Sequence, residues 1–329
     1  MYQPQTYGIA LSFIIVTMLC WGSWANTVKL CPGYRFQLFY WDYVGGLVLG
    51  SLAWGLTLGS MGVTGKSFLA DLAAMDTAHF GLALMGGITF NLANLLLVAA
   101  INIAGLAVAF PVGIGLALVV GAVTSYLIAP HANPWLLFGG IVLVVAAIVL
   151  DAGAYRLRER EHAATTRRGI MLSLVSGLLM GSFYPFVSKA MSGEHAPGPY
   201  STAFVFSLGV VVCSIPVNYL FMRRPLDGDA PVSMGAYARA PFSWHTWGVV
   251  GGLIWCTGAV LNFVASRAQV VGPAVSYSIG QGATMVSAAW GVFVWREFAS
   301  APKASKTLVA WMFLFFLVGL TLVALAPLF

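Results

Sequence analysis

Gly105-Leu-Ala-Val-Ala-Phe-Pro-Val-Gly-Ile-Gly115 and Gly272-Pro-Ala-Val-Ser-Tyr-Ser-Ile-Gly-Gln-Gly282 are two copies of one stretch. Gly105 aligns with Gly272, Ala107 with Ala274, Val108 with Val275, Phe110 with Tyr277, Gly113 with Gly280 and Gly115 with Gly282. Each copy lies in a long apolar run and follows another that opens with a double glycine, Gly86-Gly87 or Gly251-Gly252. A duplicated unit inside hydrophobic segments marks a transporter built from two related halves.

Composition agrees. Of 329 residues, 60% are hydrophobic and 8% charged, where a soluble protein carries about 25% charged residues. The mean hydropathy is +0.88. Such a chain belongs in a bilayer. Its net charge of +6 is read as cations gathered on the cytoplasmic side, not as a nucleic-acid surface. Cys20, Cys31, Cys213 and Cys256 form no Cys-x-x-Cys pair and read as small apolar residues. There is no Walker loop, dinucleotide fingerprint, EF-hand loop or His-Glu-x-x-His, so no cofactor, metal or enzymatic activity is expected. No Lys or Arg precedes the first apolar run, which predicts a retained membrane helix instead of a cleaved signal peptide.

A bilayer crossing takes about 20 apolar residues. Ten such segments are predicted, at roughly 8–28, 37–59, 79–101, 104–128, 134–153, 169–191, 199–222, 246–268, 271–294 and 307–327. The loops after the odd-numbered segments hold 13 of the 16 Lys and Arg residues, and the other side only Lys66, Lys189 and Arg267. That places both termini outside, in what is expected to be a bacterial inner (plasma) membrane. Five helices per half make the repeat an inverted one. The expected fold is therefore all-α, ten transmembrane helices as two inverted five-helix repeats. The repeats span 1–153 and 169–329, and 154–168 is a cytoplasmic linker containing Arg156-Leu-Arg-Glu-Arg-Glu. Gly22-Ser-Trp-Ala-Asn-Thr-Val28 over Gly181-Ser-Phe-Tyr-Pro-Phe-Val187 supports pairing the first helix with the sixth.

Irregular backbone is tolerated at membrane depth where it lines a cavity. Pro111, Gly113, Gly115, Gly280 and Gly282 are thus the candidate bending and gating positions. Asn91, Asn94 and Asn102 fall on one helix face at 100° per residue. Amides and hydroxyls beside aromatic rings suit a neutral, polar, flat or ring-shaped solute. The candidate lining residues are Trp24, Asn26, Asn91, Asn94, Phe110, Tyr184, Tyr277 and Gln281. No acid lies at the centre of a predicted helix, which argues against a cationic substrate. Asp42 is the deepest and is the candidate if protons are the coupling ion; its bland alternative is pairing with Lys29 or Arg35. Glu297, beside Arg296, reads as a structural interfacial charge. The partners expected are a small solute and the lipid bilayer, with no nucleic acid, for a monomer or homodimer.

Gly22-Ser-Trp, Phe39-Tyr-Trp-Asp-Tyr43, Thr57-Leu-Gly59, the Gly86-Gly-Ile-x-Phe-Asn-Leu-Ala-Asn94 run and the Gly105–Gly115 unit resemble the ureide permeases of the drug/metabolite transporter superfamily. They also resemble the bacterial glucose/ribose porters and, more distantly, the rhamnose–proton symporter. The resemblance spans nearly the whole chain. It implies two inverted five-helix repeats around a central cavity, and secondary transport of sugars or of ureides and nucleobases. Asp42 matches an acid of the ureide permease pattern. The long hydrophilic loop of plant members is here only about fifteen residues. Uptake by alternating access is the function expected. The alternatives are a drug or metabolite exporter on the same fold, and a membrane sensor or accessory subunit that transports nothing.

Overall fold

The computed structural model describes 1–158, 167–226, 228–268 and 270–329, with the side chains of all these residues except Leu106 and Ala107. Glu159, Arg160, Glu161 and Asp227 lie outside the described residues, as does 159–166 of the expected linker. Among the described residues there are helices and connections and no strand. We label the long segments α1 (Tyr7–Ser23), α2 (Phe36–Leu56), α3 (Thr77–Ala104), α4 (106–128), α5 (Pro134–Arg158), α6 (Arg167–Ala190), α7 (Pro199–Arg223), α8 (Phe242–Arg267), α9 (273–294) and α10 (Lys303–Leu325). The helix Asn26–Lys29 adds one turn beyond α1. Short helices Phe68–Ala73 and Met234–Ala238 occupy stretches read as loops. α5 runs on to Arg158 and α6 starts at Arg167, so helix enters the expected linker from both sides.

Eight of these helices are long and apolar enough to cross a membrane, and the chain is an integral membrane protein. α2 and α9 fall outside that group for different reasons. Tyr40, Trp41, Asp42 and Tyr43 lower the apolarity of α2. α9 is interrupted: it runs Pro273–Gly280, turns at Gln281 and Gly282, resumes over Ala283–Ala289 and widens to a π turn over Trp290–Val294.

Glycine sets how the helices meet, since apolar helices in lipid gain most by close backbone approach. A Cβ at Gly87 would strike the Phe206 carbonyl of α7, and one at Gly252 the Tyr43 carbonyl of α2. Gly86 leaves room for Val187 of α6, and Gly251 for Thr27 beyond α1. Gly22 of α1 faces Ala283 and Val286 of α9; Gly177 of α6 faces Gly113 and Leu116 of α4. Gly140 of α5 meets Gly319 of α10. Thus α3 packs on α6 and α7 as α8 packs on α1 and α2.

The two repeat copies begin in the same backbone conformation. Gly105 has φ 77° and ψ 159°, and Gly272 φ 78° and ψ 164°. That region is essentially closed to residues with a Cβ. Gly105 lets the chain pass from α3 directly into α4, and Gly272 is the residue from which α9 starts.

Candidate functional site

Two groups of buried polar side chains lie among packed aromatics. In the first, α2 and α3 face each other. The Tyr40 hydroxyl donates to Asn91 Oδ1 at 2.8 Å, and Asn94 Nδ2 donates to the Tyr40 oxygen at 3.1 Å. Ser214 of α7 donates to the same Asn91 oxygen at 3.2 Å. Tyr40 stacks on Tyr43 at 5.1 Å, and Trp24 lies against Tyr43 at 4.7 Å. Two polar atoms here are buried without a protein partner: Asn91 Nδ2 and the Tyr43 hydroxyl.

The second place joins α6, α8 and α9. The Tyr184 hydroxyl donates to Asn262 Oδ1 at 2.5 Å, and Asn262 Nδ2 donates to the Ser276 carbonyl at 2.9 Å. Tyr184 packs on Tyr277 at 4.8 Å. Tyr277 donates to the Ala117 carbonyl of α4 at 3.1 Å, and Gly121 makes room for its ring. Gln281 is buried at the break in α9. Between the two places stand Trp255, 4.3 Å from Phe90 and stacked with Trp21 at 5.7 Å, and Phe183 beside Tyr184 and Tyr277.

The structure thus brings Asn91, Asn94 and Trp24 into one neighbourhood, and Tyr184 and Tyr277 into another. Two sequence candidates are engaged elsewhere. Asn26 Oδ1 accepts from Trp295 at 2.6 Å while its Nδ2 donates to Ser23. Phe110 packs in the separate core that holds α4, α5 and α10. Asn102, expected on the face of Asn91, is exposed near the end of α3. The bending candidates coincide with irregular backbone: Pro111, Gly113 and Gly115 lie in a π turn of α4, and Gly280 and Gly282 flank the break in α9.

Asp42 does not pair with Lys29 or Arg35. Its carboxylate faces His245 Nδ1 at 3.0 Å and accepts from Tyr34 at 3.0 Å and Tyr237 at 2.6 Å. Gly248 leaves the space that lets α8 close on it. Burial first, and then the charge of Asp42 and the hydrogen bond to it, push the Tyr34 and Tyr237 phenols up, so both stay donors. Arg35 pairs instead with Asp229, and Lys29 with Glu297 at 2.6 Å. Arg158 and Tyr155 of α5 complete the Glu297 cluster at 3.1 and 3.0 Å. Arg296, at φ 52°, makes the turn that delivers Glu297. At the opposite end, Asp71 accepts from the Gly198 amide at 2.7 Å, and Arg267 donates to the Pro197 carbonyl.

Sequence reasoning missed Tyr40, Tyr43, Ser214 and His245. Tyr40 and Tyr43 were within reach, because they share with Asn91 and Asn94 an i, i+3 spacing that puts each pair on one helix face. His245 sits in a polar entry turn of α8 and carried no signal.

A membrane-embedded helical bundle with buried amides and hydroxyls among aromatics, and with irregular helices beside them, defines a transporter of small solutes. The chain belongs to the sugar transport protein family, whose model matches residues 13–326. It is similar to ureide permease 1 of Arabidopsis thaliana, at 21% identity over 97% of each chain, and to ureide permease 2 of the same plant, at 22% over 96% of each. These relatives are permeases, not enzymes. One solved structure superposes with a TM-score of 0.60 at 15% identity, covering 94% of this chain and 95% of its own; it shares the fold.

Proposed function

We propose that the chain is a secondary transporter that takes up a small neutral polar solute, a sugar or a ureide or nucleobase, by alternating access. One observation carries the reading. Asn91 Nδ2 and the Tyr43 hydroxyl are buried without protein partners, beside the stacked rings of Tyr40 and Tyr43 and the tilted ring of Trp24. A buried donor left unmatched costs about 1–3 kcal/mol. A solute carbonyl or hydroxyl accepting from both donors would remove that cost, and the rings would cover its flat faces. The substrate classes rest on the family and on the ureide permease relatives.

The same proposal takes the ten segments as ten crossings, in two inverted repeats of 1–153 and 169–329 with both termini outside. The shared conformation of Gly105 and Gly272 supports it. So does the reciprocal packing of α3 on α6 and α7 and of α8 on α1 and α2. Pro111, Gly113, Gly115, Gly280 and Gly282 would then supply the flexure, and Asp42 with His245 the proton site if protons drive uptake.

The test is uptake into proteoliposomes of a solute first found by a thermal-shift screen of sugars, nucleobases, allantoin and lipophilic cations. A ligand held only by the folded state raises the melting temperature. Asn94→Ala and Gln281→Ala should abolish uptake, or weaken affinity by about tenfold or more, with membrane expression unchanged. Wild-type transport in both variants removes these residues from the site. Shifts with lipophilic cations alone favour an exporter.

A further inference from the structure

Among the described residues, a pair of lateral grooves lies outside the transport reading and shares a design. The first, about 490 Å³, runs between α9 and α10 and is walled by Val292, Phe293, Phe298, Val309 and Phe313. Arg296 and Lys306 also line it. The second, about 480 Å³, lies between α3 and α6, walled by Leu96, Met171, Leu172 and Val175, with Arg167 and Arg168 lining it as well.

Four features point to one occupant. The walls are apolar and open: Phe293 is 69% and Met171 55% exposed. All four cations are exposed. Among the described residues no carboxylate pairs with them, whereas Lys29, Arg35 and Arg158 each meet one. Both grooves open at the end of the bundle where Lys29, Arg158 and Glu297 meet, the end that carries most of the basic residues.

Lys306 donates to the Ala299 carbonyl, a neutral acceptor, and an apolar trough ending in two cations that no carboxylate of the described residues pairs with is complementary to acyl chains below an anionic headgroup. Each Lys or Arg near an anionic membrane surface attracts it appreciably, and basic pockets between transmembrane helices hold phospholipid headgroups. Arg adds bidentate geometry for phosphate oxygens. A neutral lipid would fill the troughs but leave the cations without a net counter-charge. We propose that these two grooves are binding sites for anionic phospholipid in the leaflet at the cation-rich end. The α9–α10 site adjoins the Glu297 cluster through Arg296, so its occupant would hold the turn that delivers Glu297. The inference is independent of which solute the protein carries.

The experiment is native mass spectrometry and thermal unfolding of the purified full-length protein, titrated with phosphatidylglycerol, with phosphatidylcholine and with inorganic phosphate. Two double variants are compared, Arg296→Asn with Lys306→Gln, and Arg167→Gln with Arg168→Gln. Asn is chosen at 296 because it tolerates a left-handed backbone. Phosphatidylglycerol should bind the wild type and raise its melting temperature, while the other two leave it unmoved. Each double variant should lose one class of bound lipid, with apparent affinity at that site weakened about thirtyfold, the factor two surface cations contribute. Lipid-free melting of the variants is the control for folding. Equal shifts with phosphatidylcholine, an equal shift with phosphate alone, or full phosphatidylglycerol binding by both variants overturns the proposal.

Discussion

At the scale of the residue, two buried aspartates separate by what surrounds them. Asp42 is held by His245, Tyr34 and Tyr237, all within hydrogen-bond distance of its carboxylate. Asp151 of α5 is equally buried, but one of its carboxylate oxygens has no partner. Removing one member of a buried pair costs up to about 3–5 kcal/mol, because its partners are stranded. Replacing a buried group that lacks a partner costs little. Asp42→Asn should therefore lower the melting temperature by several degrees, while Asp151→Asn leaves it unchanged or raises it. Melting curves of the two purified variants decide this, and a large loss in Asp151→Asn would show that Asp151 has a stabilising partner. The Asp42 pairing was not legible from sequence, because charge alone favours Lys29 or Arg35 as neighbours. The choice is made by Gly248, which admits α8, and by the turn that carries Lys29 toward Glu297.

At the scale of the element, the glycines were readable and the helix breaks only partly so. Gly105 and Gly272 stood out because they open the repeat, and both occupy a backbone region that requires glycine. Pro111 with Gly113 and Gly115 announced irregular helix, and a π turn is found there. The matching stretch in α9 ends its helix at Gly280, and its own π turn falls later, over Trp290–Val294, where no proline or glycine pair foretells it. Composition likewise pointed to a site of amides and rings, and Asn91 and Asn94 do meet at Tyr40. Asn26 and Phe110 were drawn in by residue type alone, and long-range packing sends them to other neighbours. The two opening glycines give a clean test. No atom lies within 4 Å of a Cβ built on Gly105, so Gly105→Ala reports backbone strain alone. It should destabilise by about 1–3 kcal/mol. Gly272→Ala should cost more, since His131 lies 3.1 Å from its Cβ position. Equal and negligible effects on thermal stability would mean that the helix junctions relax freely.

At the scale of the whole molecule, the Glu297 cluster ties the turn beyond α1, the end of α5 and the connection from α9 to α10. Lys29 also sits 4.9 Å over the Trp295 ring, and Trp295 and Trp290 donate to Asn26 and Ser23. On the alternating-access cycle proposed above, such a tie would break whenever this end opens, and it should therefore be strong enough to hold but cheap to release. Its partial exposure suits that role, since partly exposed ion pairs contribute about 1 kcal/mol or less. Burial works against ionised Glu297, but hydrogen bonds from Lys29 and Tyr155 and the charges of Lys29 and Arg158 outweigh it, leaving its pKa below the ordinary 4.5. The sign follows from linkage. A carboxylate with a depressed pKa in the folded state stabilises fully above its ordinary value, and this stabilisation is lost as pH falls through the depressed one. The wild type should hold its melting temperature from neutral pH down to about 4.5 and then lose part of it. Glu297→Gln should begin lower at neutral pH and lose less on acidification, so that the two curves converge. Parallel acid profiles would mean that Glu297 does not carry the titration. Convergence accompanied by faster proteolysis or labelling at this end in Glu297→Gln at neutral pH would identify the cluster as the latch whose release opens the bundle.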